Sequence, residues 1–228
     1  MKKILYQPWG GLGDNLQFST LPEMFSKLGY EVYISNKNAY RNFEIFDLVW
    51  KLNPYVKGIS NEPPNIGDIG IYQRVHSQKS IIYNQEACHG INAENEIPKI
   101  YYTPKIINEF QDKIFVDLST KSSHPIKPNN LDLYLKDKHQ DCKIIVPNFN
   151  SKVDNYKNTN FKHDHKIDIQ SIFHFCDLIH SCKYFYCCFS GQSVLASALN
   201  KNETTVFIKP EWKGIDWNFP NLNYEVIT

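Results

Sequence analysis

The chain has 228 residues, 42% hydrophobic and 14% aromatic, which is long enough to bury the core of one large or two small domains. Its 25 Lys and Arg residues nearly balance 24 Asp and Glu residues, which excludes the global basic field typical of nucleic-acid-binding proteins. The opening MKKILYQPWGG lacks a signal-peptide core, and six cysteines without a CxxC pair are typical of reduced thiols. We therefore expect a cytoplasmic protein with no nucleic acid as a partner.

Strand and helix patterns alternate in the first half of the chain, as is typical of α/β proteins with parallel strands. KILYQP is predicted as a strand, residues 15–28 as a helix, YEVYIS as a strand and YRNFEIFDLVW as a helix. VKGIS, DIGIY and SIIYN are further strand candidates. This half is predicted to end at Pro104, in the polar segment YYTPKIINEFQDK.

The same alternation begins again in the second half. Strands are predicted at KIFVDLST, CKIIVPNF, KYFYCCF and TTVFIKP, and helices at LDLYLKD, IQSIFHFCDLIHSC and GQSVLASALN. The polar stretch NSKVDNYKNTNFKHDHK is predicted as a long exposed loop. The fold class is therefore α/β, with two Rossmann-like domains (1–104 and 105–228) whose separate parallel sheets face a cleft.

Three glycines follow the first predicted strand, in the stretch PWGGLGDNLQFSTLP. Gly10, Gly11 and Gly13 lie at its carboxyl end, where α/β folds bind ligands, and glycine lets the backbone come close to another molecule. Asp14 follows at the start of the predicted helix. Aspartate is favoured at helix starts as a cap and is also a candidate catalytic group, so both interpretations stay open.

A dinucleotide-binding turn is an alternative explanation for these glycines. Gly11 and Gly13 match the first two glycines of G-x-G-x-x-G, but Leu16 takes the third position and no acid ends the YEVYIS strand. The P-loop is excluded because G-K-[ST] occurs nowhere in the chain. An NAD-dependent oxidoreductase is therefore a weaker hypothesis.

Two loops of the second half carry groups suited to phosphate. FSGQS lies between a predicted strand and helix, where backbone N–H groups and the helix dipole favour an anion, although a plain N-cap at Ser190 explains it equally well. The loop after KIFVDL adds two hydroxyls and a cation. Together the loops predict a diphosphate site formed by Ser119, Thr120, Lys121, Ser190, Gly191, Gln192 and Ser193.

Two longer stretches resemble the heptosyltransferase-like glycosyltransferases of family 9. GGLGDNLQFSTLPEM is similar to that family's opening G-D-x-L-x-x-T-x-P pattern, and LIHSCKYFYCCFSGQSVLASAL is similar to its donor-side turn and helix. The resemblance implies two facing Rossmann-like domains of the GT-B type, with the acceptor on the first and the donor on the second. It also implies sugar transfer with inversion and without a metal ion.

The resemblance further implies residue roles. Asp14 corresponds to the family's proposed general base, and Gly11 and Gly13 are expected to let donor and acceptor approach the backbone. The donor-side residues correspond here to Ser119, Thr120, Ser190, Gly191 and Ser193. Phe189 and Val194 stand where the family usually has an aspartate and a histidine.

Other candidates have structural explanations as well. The candidates for contacts with the acceptor are Asn15, Gln17, Glu86 and His89. Plain helix or turn roles are the alternative explanation, and they are favoured for Glu86 and His89. His163 and His165 flank Asp164 as a metal-site candidate, but a solvated loop is favoured without a third ligand. No two aspartates stand two apart, so the Asp-x-Asp motif of metal-dependent transferases is missing. Trp9 is predicted to pack rather than to bind sugar.

The sequence therefore predicts an inverting, metal-independent transferase that moves a sugar from a nucleotide-diphosphate donor to a glycan acceptor, such as lipopolysaccharide or another surface glycan. No cofactor and no metal are expected, and a lipid-linked acceptor implies peripheral association with a membrane. The alternative is a non-catalytic nucleotide or sugar-phosphate binding protein of the same fold. The two hypotheses differ at Asp14, which the enzyme needs as a base and the binding protein only as a cap.

Overall fold

The computed structural model describes residues 1–67, 78–119, 131–140, 142–149, 162–210 and 218–226. The chain forms two compact units. The first unit comprises Met1–Thr103, Ser197–Leu199 and Asp216–Pro220, and the second comprises Pro104–Ala196, Asn200–Ile215 and Asn221–Thr228. The main break along the chain lies between Thr103 and Pro104.

A four-stranded parallel sheet organises the first unit. Its strands are β1 (Lys2–Tyr6), β2 (Glu31–Ser35), β3 (Val56–Ser60) and β4 (Ile66–Gly67), in the spatial order β3-β2-β1-β4. The central strands β1 and β2 are held by apolar packing, as the runs KILY and EVYIS predict. Their buried apolar residues are Ile4, Leu5, Val32 and Ile34.

Helical segments connect the strands of the first unit. They are α1 (Leu12–Leu16), α2 (Leu21–Lys27), α3 (Glu44–Phe46), a π-helical continuation of α3 (Asp47–Lys51) and α4 (Ile81–Cys88). The π-helical segment buries Trp50, one of the largest fully buried side chains. The helix predicted over YRNFEIFDLVW is therefore present, with its second half wound more loosely than an α-helix.

Two predicted elements of the first unit are wrong. Residues 15–28 form two helices rather than one, because Pro22 in the first turn of α2 favours a new helix start. SIIYN belongs to the start of α4 rather than to a strand. Ser80 is the N-cap of α4, and its Oγ accepts a hydrogen bond from Tyr83 N at 3.4 Å.

A six-stranded parallel sheet organises the second unit. Its strands are β5 (Ile114–Asp117), β6 (Ile144–Phe149), β7 (His165–Ile169), β8 (Tyr184–Cys188), β9 (Thr204–Ile208) and β10 (Asn223–Val226). A short 3-10 helix (Asn108–Phe110) precedes them, and the α-helices are α5 (Leu131–Lys138), α6 (Ile172–Ser181) and α7 (Gly191–Ala198). β5 and β9 are buried along their whole length, as is typical of central strands in a parallel sheet.

Two edge strands of this sheet differ from the sequence-based expectation. β7 begins at His165, inside the stretch predicted as a long loop, and pairs in parallel with β6. β10 pairs with β9 and has no predicted counterpart. Both strands are largely exposed, so neither shows the apolar run that predicts a buried strand.

The order of the six strands reverses at one place. From β5 the chain continues to β6 and β7 on one side, and it then returns to β8, β9 and β10 on the other side, giving the order β10-β9-β8-β5-β6-β7. The connections of the neighbouring strands β5 and β8 therefore leave in opposite directions. Open α/β sheets bind ligands outside the carboxyl ends of such strands, so a ligand is expected at the ends of β5 and β8.

The predicted fold class is confirmed by two Rossmann-like arrangements of parallel strands in separate sheets. The prediction of reduced cysteines agrees with six free thiols, of which Cys176, Cys182, Cys187 and Cys188 are buried. Among the residues described, no helix combines the length and the apolar character needed to cross a membrane.

Candidate functional site

The glycine turn after β1 lies against the chain's own backbone. A Cβ atom on Gly10 would stand 2.9 Å from Arg41 N and 3.2 Å from Tyr40 C. Arg41 N donates a hydrogen bond to Gly10 O at 2.8 Å. A Cβ atom on Gly11 would stand 2.5 Å from Asp14 Oδ2. Close approach to the backbone of residues 40 and 41 therefore explains Gly10, whereas the contact at Gly11 is with the Asp14 side chain, and a ligand-binding role for Gly11 and Gly13 stays a prediction.

We expect Gly10→Ala to destabilise the first unit, because the added methyl group would overlap backbone atoms of residues 40 and 41. Overpacking of this kind lowers the free energy of unfolding by about 1–3 kcal/mol. Thermal unfolding measures the loss. Gly67→Ala is a matched control, since a Cβ atom there meets no other atom within 4 Å. An unchanged melting temperature in Gly10→Ala would contradict the close contact.

Asp14 lies in the first turn of α1, three residues after the N-cap residue Gly11. Its Oδ2 atom accepts a hydrogen bond from Gly11 N at 3.0 Å. The carboxylate thus satisfies one of the N–H groups that a helix start leaves without an acceptor. The capping interpretation of Asp14 is therefore observed, at the third helical position rather than at the N-cap. Its role as a base stays a prediction, and the side chain is partly exposed.

Gln7 connects the residues on either side of the glycine turn. This side chain is fully buried. Its Oε1 atom accepts from Trp9 N at 2.9 Å, and its Nε2 atom donates to Asp14 O at 3.1 Å. Trp9 itself is 64% exposed, so the prediction that it packs is wrong. Its backbone rather than its indole ring is anchored, which leaves the ring in solvent.

Asn15 is buried and fixes the same turn from the other side. Its Oδ1 atom accepts from Asn38 Nδ2 at 3.1 Å and from Trp50 Nε1 at 3.0 Å. Its Nδ2 atom donates to Gly11 O at 3.0 Å. Satisfied buried amides of this kind favour a single loop conformation. Gln17 is also buried, and contacts of both residues with an acceptor stay predictions.

Glu86 is fully buried on α4 and holds the segment that follows this helix. Its carboxylate accepts hydrogen bonds from Glu94 N at 2.9 Å, Asn95 N at 3.1 Å and Asn95 Nδ2 at 2.6 Å. His89 is the C-cap of α4, and its ring lies edge-on to Phe18 with 6.4 Å between centroids. These contacts support the first unit, and acceptor roles for Glu86 and His89 stay predictions.

A buried polar cluster lies at the carboxyl ends of β5 and β8. Asp117, the last residue of β5, is 1% exposed. Its Oδ1 atom accepts from Ser119 N at 2.9 Å and lies 2.5 Å from Ser119 Oγ. From the start of α7, Gln192 Nε2 donates to Asp117 Oδ2 at 3.0 Å and to Ser119 O at 2.6 Å. The structure thus brings together Ser119 and Gln192, which the sequence predicts in one site.

Burial raises the pKa of Asp117, and the hydrogen bonds from Ser119 and Gln192 oppose part of that change. Sequence reasoning missed this residue. The available signal was a lone acid at the end of the apolar run KIFVDL, because a buried carboxyl needs hydrogen-bond partners or a function.

Ser190 and Ser193 form the turn that leads into α7. Ser193 Oγ donates to Ser190 O at 2.8 Å, and Ser193 N donates to the same oxygen at 3.1 Å. Ser190 N donates to Ser193 Oγ at 3.3 Å. α7 then begins at Gly191, and the N–H groups at the start of a helix favour an anion. The geometry agrees with a local cap, and phosphate binding at this turn stays a prediction.

The remaining candidates lie outside this cluster. Thr120 and Lys121 fall outside the described residues. His165 belongs to β7, and Asp164 Oδ2 accepts from Ile144 N at 2.8 Å, so this part of FKHDHK joins the sheet edge. Across the ranges that the structure describes, no group of three or more His, Cys, Asp and Glu residues is placed to hold a metal ion, and His163 gains no third ligand there.

Solved structures resemble the chain, although no family model and no curated protein sequence matches it significantly. The dodecameric iron-containing glycosyltransferase TibC from enterotoxigenic E. coli gives a TM-score of 0.69 at 13% identity, over 100% of this chain and 63% of that one. A family 9 glycosyltransferase from Veillonella parvula gives 0.64 at 8% identity, over 99% and 85%. The E. coli heptosyltransferase WaaC, solved with ADP, gives 0.57 at 8% identity, over 98% and 92%.

At sequence identities of 8–13%, these comparisons show that the chain shares a fold with its neighbours. The chain spans 63% of the length of TibC, so it is shorter than this neighbour by more than a third. The likeness nevertheless extends over 98% or more of this chain in each comparison. The predicted resemblance is therefore confirmed in structure, and the chain has the fold of the heptosyltransferase-like glycosyltransferases of family 9.

Proposed function

We propose that the chain is a family 9 glycosyltransferase that moves a sugar from a nucleotide-diphosphate donor to a glycan acceptor, with inversion and without a metal ion. The supporting observation is the carboxyl edge of β5 and β8, where Ser119, Gln192 and the start of α7 meet at the point where the strand order reverses. The fold neighbours add support, because TibC was solved with ADP-D-beta-D-heptose and WaaC with ADP. ADP-heptose is therefore the first donor to test.

In this proposal the second unit holds the leaving diphosphate. Negative charge grows on the diphosphate as the bond between its oxygen and the anomeric carbon breaks. The N–H groups at the start of α7 and the hydroxyls of Ser119 and Ser190 supply hydrogen-bond donors for that charge. Thr120 and Lys121 are proposed to add a hydroxyl and a cation.

Asp14 of the first unit is the proposed general base. The acceptor hydroxyl gives its proton to the Asp14 carboxylate while its oxygen attacks the anomeric carbon opposite the diphosphate, which inverts the configuration. Asp14 is partly exposed, so in this proposal an acceptor hydroxyl can approach its side chain. Gln7 and Asn15 hold the turn that carries this carboxylate.

The acceptor in this proposal is a surface glycan. If it is lipid-linked, the enzyme works at the cytoplasmic face of a membrane as a peripheral protein. The chain's formal net charge of +1 gives little general attraction to anionic lipids, so the acceptor itself would have to recruit it.

A thermal-shift screen tests the donor site. ADP, UDP, GDP and dTDP, together with their sugars and ADP-heptose, are added to the wild-type protein, and the matching nucleoside monophosphates are the controls. A ligand at a hundred times its dissociation constant stabilises the folded state by about 2.7 kcal/mol, which raises the melting temperature of a chain this long by roughly 5–10 °C. The proposal would be contradicted if no nucleoside diphosphate raised the melting temperature more than its matching monophosphate.

A further inference from the structure

Asp117 is a buried carboxyl whose hydrogen-bond partners, among the residues that the structure describes, are uncharged. In the described part of the chain its carboxyl oxygens contact the Ser119 backbone, the Ser119 hydroxyl and the Gln192 amide. Cys187 of β8 stands opposite it in the sheet, and burial raises the pKa of that thiol well above its usual value, so Cys187 is neutral as well. Surroundings of this kind favour the neutral form of a carboxyl group.

The hydroxyl of Ser119 has one hydrogen and two lone pairs to distribute. Gln192 Nε2 also lies 3.1 Å from Ser119 Oγ, but its two hydrogens are given to Asp117 Oδ2 and Ser119 O, so both lone pairs of Ser119 Oγ can accept from other donors. With Asp117 ionised, the Ser119 hydrogen points at Asp117 Oδ1, 2.5 Å away, and is used there. With Asp117 neutral, the acid donates its own hydrogen to a lone pair of Ser119. The Ser119 hydrogen is then left for a third group.

We propose that Asp117 is a positioning residue for the donor: its neutral form donates to Ser119 Oγ and turns the Ser119 hydroxyl hydrogen to a phosphate oxygen of the ligand. This inference rests on the proposed function, because it needs a phosphate-bearing ligand at the ends of β5 and β8. Ser119 is buried, so the proposal requires that a phosphate oxygen of the ligand reaches the carboxyl ends of β5 and β8 directly. The only chemical change is one proton taken up from solvent by Asp117.

Protonation of Asp117 must then raise the affinity for the ligand by the same factor by which bound ligand raises the proton affinity of Asp117. The neutral form also removes a buried negative charge from beside a negatively charged diphosphate, which acts in the same direction. Because burial raises the pKa of Asp117, the neutral fraction of the free protein falls as the pH rises through that pKa. Ligand affinity is therefore expected to fall in the same window, by up to about tenfold per pH unit.

Calorimetry with ADP-glucose tests this coupling, since its two phosphate charges stay fixed across the pH range used. We expect the wild-type affinity to fall at least about tenfold as the pH rises through the pKa of Asp117, which the NMR titration described below locates. Asp117→Asn removes the group that takes up the proton, so the affinity of this variant should change less than about twofold with pH. A flat wild-type profile, or an unchanged slope in Asp117→Asn, would overturn the proposal.

Asp177→Asn is the matched control, because Asp177 is a buried acid of the same unit whose Oδ1 accepts from Lys105 N at 2.8 Å. It should keep the wild-type pH dependence. The carbon NMR signal of the Asp117 carboxyl in the free protein gives a readout that needs neither a donor nor a variant. A pKa well above the ordinary value of about 3.9 supports the proposal, and an ordinary value overturns it. If ADP-glucose fails to bind at any pH, the donor assignment fails, and this NMR titration still decides the state of Asp117.

Discussion

Asp14→Asn is expected to lower the rate of sugar transfer by about a hundredfold or more, while stability and donor affinity stay near wild type. Asparagine has the same size, and its Oδ1 atom can accept the hydrogen bond from Gly11 N that Asp14 accepts at 3.0 Å. The cap of α1 is therefore kept, and the proton acceptor is lost. Steady-state kinetics measure the rate, and thermal unfolding and calorimetry measure the two unchanged quantities.

Asp47→Asn is the matched control for this variant. Asp47 is another acid of a helical segment in the first unit, the first residue of the π-helical continuation of α3, and its carboxylate pairs with Lys51 at 3.1 Å. Its transfer rate should equal that of the wild type. Wild-type transfer by Asp14→Asn would reduce Asp14 to a helix cap. A joint loss of stability and donor affinity would make the motif structural and favour the non-catalytic alternative.

Gly191→Val is expected to weaken the binding of ADP by about a hundredfold, or about 2.7 kcal/mol. Gly191 is the first residue of α7, and a β-branched side chain there obstructs the approach of a phosphate to the N–H groups of the helix start. Valine tolerates a helix at least as well as glycine, so the melting temperature should change little. Calorimetry with ADP measures the affinity.

Ser193→Ala calibrates the effect of Gly191→Val. It removes the hydrogen bond from Ser193 Oγ to Ser190 O and should lower the affinity for ADP by less than about tenfold. Wild-type affinity in Gly191→Val would place the donor site elsewhere. If Gly191→Val lowers the free energy of unfolding by as much as it lowers the free energy of ADP binding, the substitution has damaged the turn itself. The donor assignment would then lose its support.

The sequence predicts buried strands well, because a strand that is buried on both faces consists of a run of apolar residues. β5 and β9 are buried at every position, and KIFVDLST and TTVFIKP show it. β7 and β10 are edge strands with exposed positions, and their pattern resembles a polar loop. Ser80 shows a second limit. A run such as SIIYN fits a strand and a helix start equally well until the cap hydrogen bond is seen.

The sequence predicts those parts of the candidate site in which each residue directly follows a predicted strand. Ser119 and Gln192 follow predicted strands, and the parallel pairing of β5 with β8 brings them together as expected. The reason for Gly10 was not predictable, because the backbone that excludes a Cβ atom comes from residues 40 and 41 after a different strand. Gln7 is similar. A glutamine before a proline and a tryptophan gives no sign that its amide spans the turn to Asp14.

Phosphorus NMR of the wild-type protein with a donor and an acceptor tests glycosyl transfer most directly. ADP-heptose, UDP-glucose and GDP-mannose are each incubated with an extract of surface glycans. We expect the signals of one intact donor to be replaced by those of the free nucleoside diphosphate, with Asp14→Asn slower by about a hundredfold. A donor that raises the melting temperature of the protein yet stays intact with every acceptor would contradict transfer, and the chain would then be a nucleotide-sugar binding protein.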